Sequence, residues 1–457
     1  MNVNPFIFRE YDIRGIVGRD LTENTVELIG KAIGTNIKRN GGKFLTVGRD
    51  MRKSSDSFRD ILVSALRSTG CNVIDIGKVP TPVAYFSLHL LNPDGGVMIT
   101  GSHNPPEFNG FKISEGKQSL YGDKIRKLRE LITKKDFEVG NGSLQHREIL
   151  DDYIQAICKV IKISRPVKFA VDGGNGCFGI IGTRLLKKLG QTPIELYCDP
   201  DGTFPNHHPD PTIPEYLEDL VQKVKGEGLE LGIGFDGDGD RIGVVDDKGN
   251  IVWGDQLLII FGREVLKKNP GAMVVGEVKC SQNLFNDIKK RGGKVVMSAA
   301  GHSLIKKSMR ENRAILAGEM SGHICFSDNY FGFDDATFAA CRMLEIVANN
   351  DKKVSEMLSD LPQTHYTPEI RLNCPDSQKF DIVKDIKNYF KNHYEICDVD
   401  GVRINFVDGW ALARASNTQP VIVLRFEAET PERLQELKKI LVGKLIQYKP
   451  LSDINLG

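Results

Sequence analysis

A chain of 457 residues suggests about three domains at roughly 150 residues each, and its 40% hydrophobic and 26% charged residues belong to a globular rather than a disordered protein. Lys+Arg 61 against Asp+Glu 60 leaves a net charge of +1. No overall basic field therefore draws the chain to nucleic acid or to an anionic membrane, and an anionic ligand must be held by a local cluster of positive groups. The longest apolar runs, such as Leu257 to Phe261, fall far short of the ~20 residues that span a bilayer. The opening MNVNPFIFREYDIRG has no basic segment followed by an apolar stretch, so no secretory signal is expected and a cytoplasmic location follows. Cysteines at 71, 158, 177, 198, 280, 325, 341, 374 and 397 include no CxxC pair, the pattern of buried reduced thiols. Cys280, between Lys279 and Ser281, is the one candidate for a reactive thiol.

In chain order, KFLTVGRD (43–50) predicts a strand running into a polar loop, then a helix over SFRDILVSALRSTG and a strand at NVIDIG. The same layout returns at KFAVDGGNG (168–176), IIGTRLLKKLG and TPIELY, and again at MVVGEVKCS (273–281), NLFNDIKKRGG and KVVMSA. Each copy is a strand, a loop, an amphipathic helix closed by glycine, and a strand, the pattern of a βα unit. A further strand-to-loop junction follows each copy: GGVMITGSHNP (95–105), LGIGFDGDGDR (231–241) and AILAGEMSGH (314–323). Three α/β domains are expected, each offering one loop from a strand end, where open α/β sheets place ligands.

After Pro362 the pattern changes. THYTPEIRLNC predicts a strand, DSQKFDIVKDIKNYFKNHY a helix, and GVRINF, WALARAS and VIVLRFEAE antiparallel strands. TPERLQELKKILVGKL closes the chain as a helix, with Thr430 as N-cap and Pro431 at the first helical position. Boundaries near 147, 250 and 362 give domains at 1–147, 148–250, 251–362 and 363–457, the last a smaller α+β unit.

Asp236-Gly237-Asp238-Gly239-Asp240-Arg241 is the strongest chemical signal. Alternating carboxylates share one side of an extended segment, about 6–7 Å apart if straight, and the glycines allow the curvature that brings all three onto one cation. Oxygen-only ligands suit Mg²⁺ or Ca²⁺, but a calcium loop would need glycine where Arg241 stands and helices where LGIGF and IGVVD predict strands. Gly232, Gly234 and Gly237 also spell GxGxxG, without the helix that motif requires. Ser102, on the tight turn Thr100-Gly101-Ser102-His103-Asn104-Pro105, is placed to act as nucleophile or phosphoryl carrier, with His103 beside it. A Ser-His-Asp hydrolase is disfavoured because adjacent side chains point apart on an extended chain. Gly318-Glu319-Met320-Ser321-Gly322-His323 offers a carboxylate, a hydroxyl and an imidazole suited to sugar hydroxyls. Arg414-Ala415-Ser416-Asn417-Thr418 suits a phosphate.

In this order the four loops resemble the α-D-phosphohexomutase family, from Tyr11-Asp12-Ile13-Arg14-Gly15 to the 414–420 loop. TGSHNPPEFNGFK and DGDGDR are highly specific to it, and Met320 within GEMSGH favours the mannose/glucose branch over the glucosamine-phosphate branch. The resemblance implies three similar α/β domains and a TATA-binding-protein-like fourth around a central cleft. It implies an isomerase that moves phosphate between O1 and O6 of a hexose, through a phosphoserine at Ser102 and a hexose 1,6-bisphosphate that also serves as activator. Mg²⁺ would sit on Asp236, Asp238, Asp240 and Ser102, with Arg241 stabilising charge. Lys112 would transfer protons, helped by Arg14 and His103; Glu319, Ser321 and His323 would hold the sugar, with Tyr11, Lys279 and His302 at the cleft. Within the family, phosphoglucosamine mutase is the alternative. A metal-dependent sugar phosphatase with Ser102 as nucleophile would use the same metal loop and serine and release inorganic phosphate, and a non-catalytic cation-binding protein would explain the acidic loop but leave the other three without purpose.

Overall fold

The computed structural model describes residues 3–416 and 419–451. Strands gather into four sheets. In the first, Phe44–Arg49 lies between Asn72–Lys78 and Gly95–Ile99, both parallel to it, and Gly95–Ile99 then pairs antiparallel with Phe108–Glu115. The second sheet repeats this order with Phe169–Asp172, Ile194–Leu196, Leu231–Phe235 and Ile242–Asp246. The third repeats it with Met273–Glu277, Lys294–Ser298, Leu316–Gly318 and Ile324–Phe326. The helix of each predicted unit is present, at Ser55–Ser68, Phe178–Lys188 and Gln282–Lys290. The copies therefore share a topology as well as a sequence layout. The second sheet runs slightly past residue 250, because Ile251–Val252 pairs with Ile242–Asp246.

Local chemistry accounts for these elements. Glu23–Arg39 is helical because Val26, Ile29, Ile33 and Ile37 recur on one face and are buried. The hydroxyl of Thr22 accepts from the Thr25 amide, satisfying one of the donors that a helix start leaves open. This helix packs on Ser55–Ser68, whose Phe58, Leu62 and Leu66 point into the same core. The third strands, Gly95–Ile99 and Leu231–Phe235, are buried throughout. Strands covered on both faces read as continuous rather than alternating apolar runs.

The fourth sheet is wholly antiparallel, with His365–Tyr366, Val421–Ala428, Gly409–Ala415, Val402–Phe406 and Glu395–Cys397 in order and Ile370–Asn373 also on Val421–Ala428. Asp376–Lys391 and Pro431–Leu445 pack their apolar faces against it. The expected single strand over 364–374 is divided in two at Thr367, Pro368 and Glu369, since proline has no N–H for the ladder.

The topology places the chemistry. In each of the first three sheets the turn from third to fourth strand carries a motif: residues 100–107 the serine, 236–241 the aspartates, 319–323 the glutamate and histidine.

Candidate active site

Ser102 stands at the end of Gly95–Ile99 with φ 51°, a left-handed backbone. That conformation turns its hydroxyl onto its neighbour, and Ser102 Oγ lies 3.2 Å from His103 Nδ1. The expectation that the two side chains point apart fails here, because it assumed an extended chain. The hydroxyl also donates to Asp236 Oδ2 at 3.1 Å, across 134 residues of sequence. Gly237 permits this approach: a Cβ there would stand 2.4 Å from the Ser102 carbonyl oxygen.

Asp236, Asp238 and Asp240 are fully buried, with one oxygen of each within 4.8 Å of the others. Asp236 Oδ1 accepts from the amides of Asp240 and Arg241 at 3.0 and 3.1 Å, which curls the turn around it. Asp238 Oδ2 accepts from Thr81 Oγ1 and, at 2.7 Å, from Lys112 Nζ, which also donates to Asp240 Oδ2. Asp238 Oδ1 and Asp240 Oδ1 are buried without a hydrogen-bond partner. Burial, then Asp238 and Asp240, pushes the Asp236 carboxyl well above its usual range. Burial works against Asp238 too, but the Lys112 ammonium overrides it and holds Asp238 below that range. Burial likewise opposes charge on Lys112, yet the two carboxylates raise it well above the ordinary lysine value. Three buried carboxylates facing this ammonium, two of them with an orphaned oxygen, fit a hard divalent cation.

The third motif joins this cluster through Arg241, whose Nε donates to His323 Nε2 at 2.9 Å. His323 Nδ1 in turn lies 3.0 Å from Asp334 Oδ2 and 3.6 Å from Asp240 Oδ1. Accepting at Nε2 places the imidazole proton on Nδ1, facing the carboxylates. Lys306 donates to Asp334 Oδ1 at 2.7 Å and sits 3.3 Å from His302 Nδ1, while the His302 and His323 rings stack at 5.6 Å. Burial, ahead of Lys306, depresses His302 well below the usual histidine value. Burial, ahead of Arg241 and Arg14, does the same to His103, so both imidazoles are neutral.

Around this centre, Arg14 donates to Asn104 Oδ1 at 2.8 Å and to Asp12. The Tyr11 hydroxyl donates to the Ala300 carbonyl at 2.6 Å, tying the first segment to the third. Glu319 Oε1 accepts from the Gly301 amide at 2.6 Å, and Ser321 beside it is half-buried. Lys279 bonds Glu369 at 2.6 Å and faces Glu277 at 3.4 Å. Arg414 Nε donates to Asp400 Oδ2 at 2.8 Å, and the same oxygen accepts from the Ala300 amide. Ser416 Oγ accepts from the Gln419 amide; Asn417 and Thr418, expected beside it, lie outside the described residues.

The expected residues that are described thus come from segments of all four sheets. Thr81, Asp334, Lys306, Glu369 and Asp400 join them without having been anticipated, for they belong to no compact motif and meet their partners only in the fold. Cys280 is corrected: it is fully buried, and burial, ahead of Glu277 and Asp255, pushes its thiol well above the usual value, leaving an inert core side chain. Gly232 and Gly234 lie within Leu231–Phe235, and the turn after it leads to a strand, so the GxGxxG match binds no dinucleotide in the expected way. No helix among the described residues is long and apolar enough to cross a membrane.

Comparison with known proteins finds four family models along the chain. Phosphoglucomutase/phosphomannomutase alpha/beta/alpha domain I matches residues 5–139, domain II 151–249, domain III 253–365 and the C-terminal domain 369–444. Phosphomannomutase/phosphoglucomutase of Pseudomonas aeruginosa is 46% identical over 440 residues, 96% of this chain and 95% of that protein. A crystal structure of a phosphoglucomutase/phosphomannomutase family protein from Burkholderia thailandensis superposes with a TM-score of 0.93 at 40% identity, covering 99% of both chains. Aspergillus fumigatus N-acetylphosphoglucosamine mutase, solved in complex with GlcNAc-6P and magnesium, shares the fold at 15% identity and a TM-score of 0.61, covering 94% of each chain.

Proposed function

The chain belongs to the phosphoglucomutase/phosphomannomutase family, and from that premise we propose that it interconverts hexose 1-phosphates and 6-phosphates of mannose, glucose or both. Ser102 carries the phosphoryl group and a hexose 1,6-bisphosphate is the intermediate and activator. The observation that carries this reading is the meeting of Ser102 Oγ with Asp236 at 3.1 Å, beside two buried carboxylate oxygens that lack partners.

Asp236, Asp238 and Asp240, with Ser102 Oγ, would hold Mg²⁺, which when bound supplies positive charge to the phosphoryl oxygens. In the transfer to sugar, the bond from phosphorus to Ser102 Oγ breaks as a bond to the sugar hydroxyl oxygen forms, and in net the hydroxyl's proton passes to the departing Ser102 Oγ. Neutral His103 stands 3.2 Å from Ser102 Oγ and can accept the serine proton in the return step. Lys112 is an ammonium in this arrangement, suited to giving a proton to a departing oxygen. The proton that the attacking sugar hydroxyl gives up restores it. Arg14 and Arg241 face the transferring charge. Glu319, Ser321 and His323 hold sugar hydroxyls, with Tyr11, Lys279 and His302 at the margin. Arg414, Ser416, Asn417 and Thr418 anchor the phosphate that is not reacting. Division of the chain near 147, 250 and 362 gives each domain one of these four loops. The partners are small sugar phosphates, and the location is cytoplasmic.

Intact mass of the purified enzyme should show a phosphate adduct mapping to Ser102, and Ser102→Ala should lose turnover. Full turnover by that variant would end this reading. Steady release of inorganic phosphate instead of isomerised sugar phosphate would select the phosphatase, and glucose-, mannose- and glucosamine-1-phosphate tested alike would rank the sugars.

A further inference from the structure

Residues 48–52, Gly-Arg-Asp-Met-Arg, end the first strand of the first repeat and have no role in the mechanism above. The Arg52 side chain is fully buried, with 0% exposure. Its Nη1 donates to the carbonyls of Pro105 at 2.6 Å and Phe108 at 2.9 Å. Nη2 donates to those of Ser102 at 2.8 Å and Asn104 at 2.6 Å. Nε donates to Asp50 Oδ2 at 3.2 Å. All five N–H bonds of the guanidinium are thereby used, three of them on the serine turn and a fourth on Phe108, the first residue of the strand after it. Asp50 closes the frame by accepting from the Gly101 amide at 3.2 Å and from Ser55 Oγ. A Cβ at Gly101 would stand 2.5 Å from Arg52 Cζ, so only glycine lets the turn lie on the guanidinium. The Phe204 ring centroid is 5.0 Å from Cζ, so a loop after Ile194–Leu196 of the second sheet packs against the same residue.

We propose that Arg52, braced by Asp50, is a positioning residue for phosphoryl transfer, holding Ser102 in the backbone conformation that aims its hydroxyl at Asp236. The inference rests on Ser102 being the phosphoryl carrier. A left-handed non-glycine residue costs about 1–3 kcal/mol and persists only where its surroundings enforce it. Here the enforcing group bonds the Ser102 carbonyl itself. Its charge, one carbonyl away from the side chain, also favours a phosphate on that serine over a hydroxyl. Lysine cannot replace it, since a single ammonium offers three donors from one point and cannot span four carbonyls.

The test is Arg52→Lys in the full chain. Ser102 phosphorylation by glucose 1,6-bisphosphate is followed by rapid quench and intact mass, beside kcat, KM, Mg²⁺ affinity and Tm. Phosphorylation rate and kcat should fall at least about tenfold, the effect of losing one or two charge-assisted bonds, with KM unchanged and the loss persisting at saturating Mg²⁺. A folded Arg52→Lys with wild-type phosphorylation overturns the proposal, and so does a loss of kcat that only tracks the unfolded fraction or that saturating Mg²⁺ restores. If Arg52→Lys does not fold, the near-isosteric Asp50→Asn decides: a several-fold slower phosphorylation at constant KM supports the brace, and an unchanged rate overturns it. A wild-type enzyme never phosphorylated at Ser102 would sink the carrier assignment instead, whereas a wild type that phosphorylates no faster than the variant sinks only the role of Arg52.

Discussion

At the scale of single residues, the three aspartates have one spacing and two different tasks. Asp236 curls the turn with two amide bonds and receives Ser102; Asp238 and Asp240 share the Lys112 ammonium and each keep one buried oxygen without a partner. Replacing Asp238 by Asn puts an amide at one of the three positions proposed to hold Mg²⁺ and leaves Lys112 with one carboxylate fewer. Asp238→Asn should therefore weaken Mg²⁺ affinity and kcat together by at least about tenfold, as expected on losing a bond to a charged group. Titration of activity against Mg²⁺ checks it, and unchanged activity at limiting Mg²⁺ would mark the cluster as a plain acidic turn. Arg414 offers the complementary case. In its proposed role as phosphate anchor it does not meet the sugar, so Arg414→Ala should lower kcat/KM for glucose- and mannose-1-phosphate by similar factors of roughly 10- to 150-fold, the worth of a charge-assisted contact. Loss confined to one sugar would show that this loop discriminates C2 epimers.

Among the elements, the ends of helices show how local chemistry fixes boundaries. The Thr430 hydroxyl accepts from the Arg433 amide at 3.1 Å, and Pro431 follows at the first position, where a missing N–H is harmless. Thr430→Ala should cost about 1 kcal/mol, read by urea denaturation, with sugar-phosphate turnover unaffected because the cap is remote from the site. Helix Leu150–Val160 meets Ala336–Ala348 differently. The Tyr153 hydroxyl donates to the Asp335 carboxylate at 2.9 Å, and Asp335 Oδ1 also caps the second helix by accepting from the Phe338 amide. Tyr153→Phe leaves the packing and removes the bond, so it should cost about 1.5–3 kcal/mol, the range for hydrogen bonds to charged groups. A loss below a few tenths would mean that water satisfies the carboxylate in the variant.

Across the whole molecule, the site depends on contacts that tie its four parts together: Ser102 to Asp236, Arg241 to His323, Tyr11 to Ala300, and Lys279 to Glu369. The last joins the fourth sheet's segment to the third and carries a pH signature. Lys279, against the opposing effect of burial, holds the Glu369 carboxyl down at about 2, compared with 4.5 for an ordinary glutamate. A depressed folded-state value gives stability that is complete above the unfolded value and is lost as pH falls toward the folded one. Wild type should exceed Glu369→Gln in resistance to denaturant at pH 6, with the gap closing between about pH 4.5 and about pH 2. A gap independent of pH would assign the difference to shape rather than charge.

What the sequence determined by itself was whatever lies close along the chain. The three-fold repeat was legible because each strand, helix and strand writes its own short pattern, and DGDGDR was legible because its ligands alternate within one turn. The helices buried almost all round were not. Thr81–Leu90 is buried on almost every side, and so is Ala336–Ala348, so neither has the polar face whose period would reveal a helix. Only the tertiary structure decided which loops meet. Arg52 reads in the sequence as one more charge after a strand, and Asp334 as one half of an Asp-Asp pair; the first becomes the frame of the serine turn and the second the partner of His323. The physical reason is that a buried charge is stable only with partners, and those partners come from chain segments that no local pattern connects. The left-handed Ser102 belongs to the same class: its own residue type disfavours the conformation, and bonds from Arg52, fifty residues earlier and just past a strand, impose it.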